Sequence, residues 1–261
     1  FNSEITDLDM SKNLIDYDTF YCLNSSINLS YLNLALTNLT NLIFDGILIL
    51  DNFKNLASLN LSFNSIERIR QSKFNKLTLL KELDMCHNKI SVIENFTFLN
   101  NINLLSLNLS FNQIKSFNQD LFGINSIVQN SLHHLILNDN GLYEFNIEIN
   151  LHSMNSWLIL ENNCLKEYPK YLIKSFALPY LNLKKNNISR IYNSYFSKIV
   201  SNYYIDFSQN NISFIQNGSF LKFSILKHLD LSRNCLSDLN SNSFIGLYSL
   251  EQFNLSYNQI S

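Results

Sequence analysis

The chain has 261 residues, a formal net charge of -2 at pH 7, 15% charged and 13% aromatic residues, and only 5 Gly and 2 Pro. Such a balance gives no basic field for nucleic acid or for an anionic membrane surface, too many aromatics for a disordered chain, and no Gly- or Pro-rich linker to divide domains. The most apolar stretch, Ile43 to Leu50, is broken by Asp45 and Gly46 and is too short to cross a membrane, and Phe1-Asn-Ser-Glu4 lacks the basic and apolar parts of a signal peptide.

Along the chain one frame returns. Leu56-x-x-Leu59-x-Leu61-x-x-Asn64-x-Ile66-x-x-Ile69 is followed by Leu80-x-x-Leu83-x-Met85-x-x-Asn88-x-Ile90-x-x-Ile93. Counting the first residue as position 1, repeats begin at residues 5, 29, 56, 80, 104, 132, 155, 178, 202, 226 and 250, mostly 24 apart. The ninth position reads Asn13, Thr37, Asn64, Asn88, Asn112, Asn140, Asn163, Asn186, Asn210, Asn234 and Asn258. A fixed period in this range predicts a solenoid in which no repeat buries its apolar edge alone. Apolar residues at positions 4 and 6 predict a short strand with one buried face. Asn at position 9 predicts a ladder whose amides satisfy the backbone of a buried turn, weakened at Thr37. Phe74, Phe98, Phe122, Phe196, Phe220 and Phe244 at position 19 are expected to fill the opposite side. Two repeats are longer, with the extra residues around Ile43 to Asp51 and Gly123 to Ser131. Length drift and a ligand-contacting loop both fit them.

Segments such as Leu-Asn-Leu-Ser-Phe-Asn at 59–64 and 107–112 resemble the typical, 24-residue class of extracellular leucine-rich repeat, as in Toll-like receptor ectodomains and chaoptin-type adhesion proteins. The resemblance implies an α/β repeat fold over 1–261: a curved solenoid of about eleven repeats, with a parallel concave sheet and an irregular or 3-10 convex side. Such ectodomains usually carry cysteine-rich caps. No cysteine cluster stands at either end here, and the last repeat stops in mid-frame, so the expectation is a fragment of a longer ectodomain.

In this frame positions 2, 3, 5, 7 and 8 are expected to point outward from the concave sheet. Position 3 places His134, Trp157, Tyr180, Tyr204 and His228 in five consecutive repeats. At strand spacings of about 4.8 Å the stripe is roughly 20 Å long. Ile136 and Ile159 replace the usual Asn or Asp at position 5. His133 and Tyr203 flank the stripe, and Lys184, Lys185 and Arg233 lie at its margin. Exposed aromatics beside cations are interface chemistry, and the two histidines suggest binding that varies with pH near 6. Sequons occur at Asn24, Asn28, Asn38, Asn60, Asn95, Asn108, Asn187, Asn211, Asn217 and Asn254. Asn60, Asn108 and Asn254 sit at concave position 5, so glycans there leave the sixth to tenth repeats open for a ligand.

Catalytic and cofactor motifs are missing: there is no phosphate loop, zinc spacing or nucleophile elbow. His133 and His134 lack a third metal ligand. Cys22, Cys86, Cys164 and Cys235 are too scattered for a disulfide framework, and an exposed thiol is expected at Cys86. The sequence thus points away from an enzyme, a cofactor or nucleic acid. It points toward a protein or other extracellular ligand held on the concave face, with self-association open and any membrane attachment lying in further segments. An innate-immune receptor of Toll-like kind, an adhesion or matrix protein, and an intracellular scaffold all fit it.

Overall fold

The computed structural model describes residues 4–23, 28–46, 50–123, 131–147, 155–169, 179–196 and 202–261. Every repeat contributes one three-residue strand to the main sheet: β1 Asp7–Asp9, β2 Tyr31–Asn33, β3 Ser58–Asn60, β4 Glu82–Asp84, β5 Ser106–Asn108, β6 His134–Ile136, β7 Trp157–Ile159, β8 Tyr180–Asn182, β9 Tyr204–Asp206, β10 His228–Asp230 and β11 Gln252–Asn254. Each covers positions 3 to 5 of the frame read from the sequence. The strands follow chain order in one parallel sheet. The register joins like positions, with Tyr31 opposite Ser58 and Tyr180 opposite Tyr204. The fold is a leucine-rich-repeat solenoid. Contacts divide it into two compact units, 1–114 with 119–134, and 115–118 with 135–261.

In both units the apolar positions 4 and 6 are the core, with Leu59, Leu61, Leu181 and Leu183 at most 1% exposed. The asparagine ladder beneath them is built as its chemistry requires. Asn88 donates through Nδ2 to the carbonyls of Leu61, Met85 and Cys86 at 3.0, 3.1 and 3.3 Å. Its Oδ1 accepts the Ile66 N–H at 3.0 Å. Asn210 repeats the pattern on Leu183, Phe207 and Ser208, and accepts from Ile188. One amide therefore ties two successive coils and leaves a buried turn with no orphan at these groups. Thr37 has only a hydroxyl, which donates to its own repeat's Leu34 carbonyl at 2.8 Å. A single hydroxyl donor cannot also reach the preceding coil, so that rung carries fewer bonds.

The turn into each Asn is made the same way. Position 8 adopts positive φ in all eleven repeats, from 52° at His87 and Lys185 to 61° at Lys12, and none of these residues is glycine. That conformation is costly for side-chain-bearing residues, so the stacked coils must over-determine it. Position 5 supplies a second support. Its Asn or Asp accepts the N–H two residues on, as in Asn60 to Ser62 at 2.9 Å and Asp230 to Ser232 at 2.8 Å.

The position 19 rings stack within each unit. Phe74 lies 6.0 Å from Phe98 and Phe98 5.4 Å from Phe122. Phe220 lies 6.0 Å from both Phe196 and Phe244. Away from the main sheet the described residues form short 3-10 turns at Leu50–Asn52, Gln119–Leu121, Asn193–Phe196 and Ser241–Phe244 and three two-stranded parallel pairs.

Three expectations need correction or refinement. Position 7 does not point outward as a rule: Ser62, Ser110, Ser208 and Ser232 are buried, because the left-handed residue that follows folds the chain inward there. Cys86 shares that position, so its thiol is buried rather than exposed, and burial followed by the neighbouring Asp84 pushes its pKa up to about 12. Two of the early repeats carry a short helix: α1 (Tyr17–Leu23) closes the first repeat before β2, and α2 (Asn41–Gly46) lies in the first long repeat at the start of the added residues. Asp16 accepts the Thr19 N–H at 2.9 Å at the start of α1. Most of the second insertion, 124–130, lies outside the described residues.

Candidate functional site

The sheet positions the expected stripe because strand side chains stand perpendicular to it and positions 3 and 5 leave by the face away from the core. In the second unit Trp157 is 47% exposed. Tyr180, Tyr204 and His228 are half-buried beside it. Tyr180 and Tyr204 stack with centroids 4.5 Å apart and planes 7° from parallel. His228 follows, 6.0 Å from Tyr204 and tilted by 41°. Neighbouring rings therefore cover each other's faces across the Tyr180–Tyr204 pair. Ile136 and Ile159 are half-buried alongside.

Carboxylates sit beside these rings. The Tyr204 hydroxyl donates to Asp206 at 3.4 Å. Burial is the main force raising the Asp206 pKa, and Asp230 adds to it. Burial and then Asp206 push the Tyr204 phenol up, and burial does the same to Tyr180. The cations lie at the margin and are engaged. Lys184 and Lys185 reach Glu161 at 3.5 and 3.9 Å, and Arg233 covers the Tyr257 ring at 4.4 Å. Tyr203 is half-buried at the opposite margin, where Lys227 pairs with Glu251 at 2.7 Å.

His133 and His134 belong to the first unit. Their rings are 6.4 Å apart and tilted by 56°. His133 Nδ1 meets the Ser131 carbonyl at 2.5 Å. Burial, then His133, lowers the His134 pKa, which moves its protonation to more acidic solution than an ordinary imidazole. No group of three or more His, Cys, Asp or Glu able to hold a metal occurs among the described residues. Cys86, Cys164 and Cys235 are free thiols. No helix among the described residues is long and apolar enough to cross a membrane.

Of the sequons, Asn60 and Asn108 stand half-buried on concave strands with Oδ1 capping Ser62 and Ser110. The Asn254 amide donates to Asp230 at 3.0 Å. Asn28, Asn38, Asn95, Asn187, Asn211 and Asn217 are exposed. Asn24 lies outside the described residues.

Sequence reasoning missed a second aromatic feature. In the first unit His87 lies between Phe63 and Phe111, with centroids 4.2 and 4.1 Å away and planes within 11° of parallel. All three are exposed at the left-handed position 8. The signal was in the frame, since 63, 87 and 111 are the same position in consecutive repeats.

A family model described as leucine rich repeat matches residues 54–95 and 203–260. Among solved structures, the chain is similar to one from a Toll–Spatzle complex of Drosophila, at 20% identity and TM-score 0.78 over 98% of this chain and 35% of that one. It is similar to one from a TLR13–ssRNA13 complex, at 23% identity and TM-score 0.60 over 96% and 31%. It is also similar to the leucine-rich repeat domain of APL1B, at 21% identity and TM-score 0.61 over 95% and 74%. The chain thus spans about a third of the length of the Toll and TLR13 chains. No curated protein sequence matches it.

Proposed function

We propose that this chain, whose leucine-rich-repeat fold is similar to the solved Toll and TLR13 structures, is an extracellular recognition module that binds a polypeptide through the aromatic face of its second unit. One observation carries this reading: Trp157 stands 47% exposed at the head of a row that continues through the stacked Tyr180 and Tyr204 to His228. Large amphipathic rings held rigid on a sheet lose little entropy on binding and concentrate binding energy. The ring edges and hydroxyls suit hydrogen bonding to a polypeptide. Stacking of bases or sugars needs open ring faces, and the faces between Tyr180 and Tyr204 are taken. Asp206 and Asp230 beside the rings also oppose phosphate. The receptor setting draws support from the Toll and TLR13 likeness, and secretion from the exposed sequons.

The reading is tested by selecting peptides from a random displayed library on the immobilised chain, then measuring the winners on Trp157→Ala and Tyr180→Ala. Each change should weaken binding by roughly 30-fold, the equivalent of about 2 kcal/mol. Unaltered affinity in both variants removes the face from the account. Carbohydrate mass on chain secreted from eukaryotic cells tests the extracellular setting, and protein that emerges unglycosylated counts against it.

A further inference from the structure

Position 5 has a common task in the fold, which is to accept the N–H two residues on, and some of its amides also donate to a neighbouring coil's carboxylate, as Asn254 does to Asp230 at 3.0 Å. Nine repeats make that bond, at 2.7 to 3.1 Å. Five of them use the neutral amide of Asn33, Asn60, Asn108, Asn182 or Asn254. The turn therefore requires no negative charge. Asp206 and Asp230 nevertheless put two charges side by side, since they are register partners on β9 and β10, about one strand spacing or 4.8 Å apart. Like charges in that arrangement oppose the fold, and Asp206 is only 7% exposed. Among the described residues neither carboxylate forms an ion pair. The nearby cations make their contacts elsewhere, with Lys184 and Lys185 on Glu161 and Arg233 over Tyr257, and Lys184 acts on Asp206 only through its charge, without contact.

The wider pattern agrees. Positions 3 and 5 of β7 to β11 hold two carboxylates and neither Lys nor Arg, and in β1 to β5 they hold Asp7, Asp9, Glu82 and Asp84, again with neither. Over the whole chain Lys and Arg number 19 against 21 Asp and Glu, so a generally acidic chain does not account for this. The cations stand at the rims instead.

Resting on the binding face proposed above, we infer that the aromatic row of the second unit takes a basic polypeptide segment, with an arginine side chain of the partner seated across Asp206 and Asp230 beside Tyr204 and His228. A guanidinium offers a planar fork of donors that matches paired carboxylate oxygens. Its aliphatic stem can lie against the ring edges while the charge reaches the carboxylates. The partner's cation thereby turns a repulsion inside the free protein into attraction in the complex, and the neighbouring rings exclude water from the contact.

The test uses the full chain and fluorescein-labelled hexa-arginine, hexa-glutamate and glycine–serine peptides of equal length, read by fluorescence anisotropy at low and physiological salt. Binding is expected for the arginine peptide alone. The double variant Asp206→Asn, Asp230→Asn keeps both turn bonds and should weaken it at least tenfold. Glu82→Gln with Asp84→Asn removes the same charge from the first unit and should change it less than twofold. Equal losses from the two doubles mean bulk attraction and overturn the inference, as does failure of the arginine peptide to bind. Loss with Trp157→Ala but not with the aspartate double overturns the arginine seat and leaves the aromatic face standing. No change with either set sinks both. Thermal melts check that the aspartate double folds at least as well as the parent.

Discussion

The two units share one scaffold and differ in what they mount on it. In the first, the inner row at position 3 reads Asp7, Tyr31, Ser58, Glu82, Ser106 and His134, and a stacked aromatic display stands at the turn edge as Phe63, His87 and Phe111. In the second, position 3 holds Trp157, Tyr180, Tyr204, His228 and Gln252, and the turn edge is polar from Asp139 through Asn162, Lys185, Gln209 and Arg233 and ends on Tyr257, whose ring Arg233 covers. Since both carry the same ladder, the same left-handed turn and the same stacked phenylalanines, the outward residues are free of the fold's demands. A repeat solenoid separates stability from recognition in this way, because each repeat answers mainly to its neighbours.

The comparison breaks most visibly if the scaffold is not shared. Asn88→Ala in the first unit and Asn210→Ala in the second should cost nearly the same stability. Each removes three donor contacts and orphans a buried N–H, of Ile66 or Ile188. At roughly 1–3 kcal/mol per abandoned buried group, the loss should be about 3 kcal/mol or more in urea unfolding. A loss near zero at either site means that its ladder is not holding the coils. The next effect in size separates the units. Trp157→Ala should cost about 2 kcal/mol of binding with little change in melting, whereas Ser58→Ala, at the same position in the first unit, should leave binding untouched. Equal effects would erase the distinction between the two faces.

Most of the scaffold was readable because its chemistry is periodic. Leu at positions 4 and 6 fixes burial, Asn at position 9 fixes the turn, and all eleven strands fall where that spacing puts them. What escaped depends on backbone conformation rather than residue type. The left-handed turn at position 8 carries Lys12, Phe63 and Gln209 alike, so composition gives no sign of it, and with it goes the burial of Ser62 and Cys86. The helix Asn41–Gly46 is too short to show a period. In the candidate site the row of residues could be read by counting, but its electrostatics could not. That Lys184 is paired with Glu161, and that Asp206 and Asp230 are not paired with cations, follows from side-chain placement.

A smaller effect sharpens the charge contrast. Asp206 has its pKa raised by burial and by Asp230, so the native protein holds its proton to higher pH than the unfolded chain does. The sign follows from linkage: folding is favoured at low pH, and that advantage is lost as pH rises through the native value. At neutral pH the ionised carboxylate therefore opposes folding, and Asp206→Asn should gain on the order of 0.2–1 kcal/mol, the range for like-charge neighbours in a sheet. The gain should disappear below the ordinary carboxylate range. Asp84→Asn in the first unit is the control and should gain less. A neutral-pH loss at Asp206→Asn would mean that the carboxylate serves the fold.

The smallest effect concerns His134, which stands in the first unit beside His133. Burial and that neighbour lower its pKa, so in the window below the ordinary value of about 6.5 the unfolded chain carries a proton that the folded one lacks. Stability is whole above that window and falls as the solution is acidified through it. His134→Gln, which cannot take the proton, should flatten the dependence of the urea midpoint on pH just below the ordinary imidazole value. The same substitution should leave the midpoint at pH 8 nearly unchanged, because the imidazole is neutral there in both states. If the slope survives in the variant, acid sensitivity belongs to other groups. Binding to the second unit's face offers an independent reading, since a partner that touches only that unit should be indifferent to His134→Gln at every pH. A partner whose affinity changes with this substitution reaches the first unit too, and the division of labour between the two faces would then have to be redrawn.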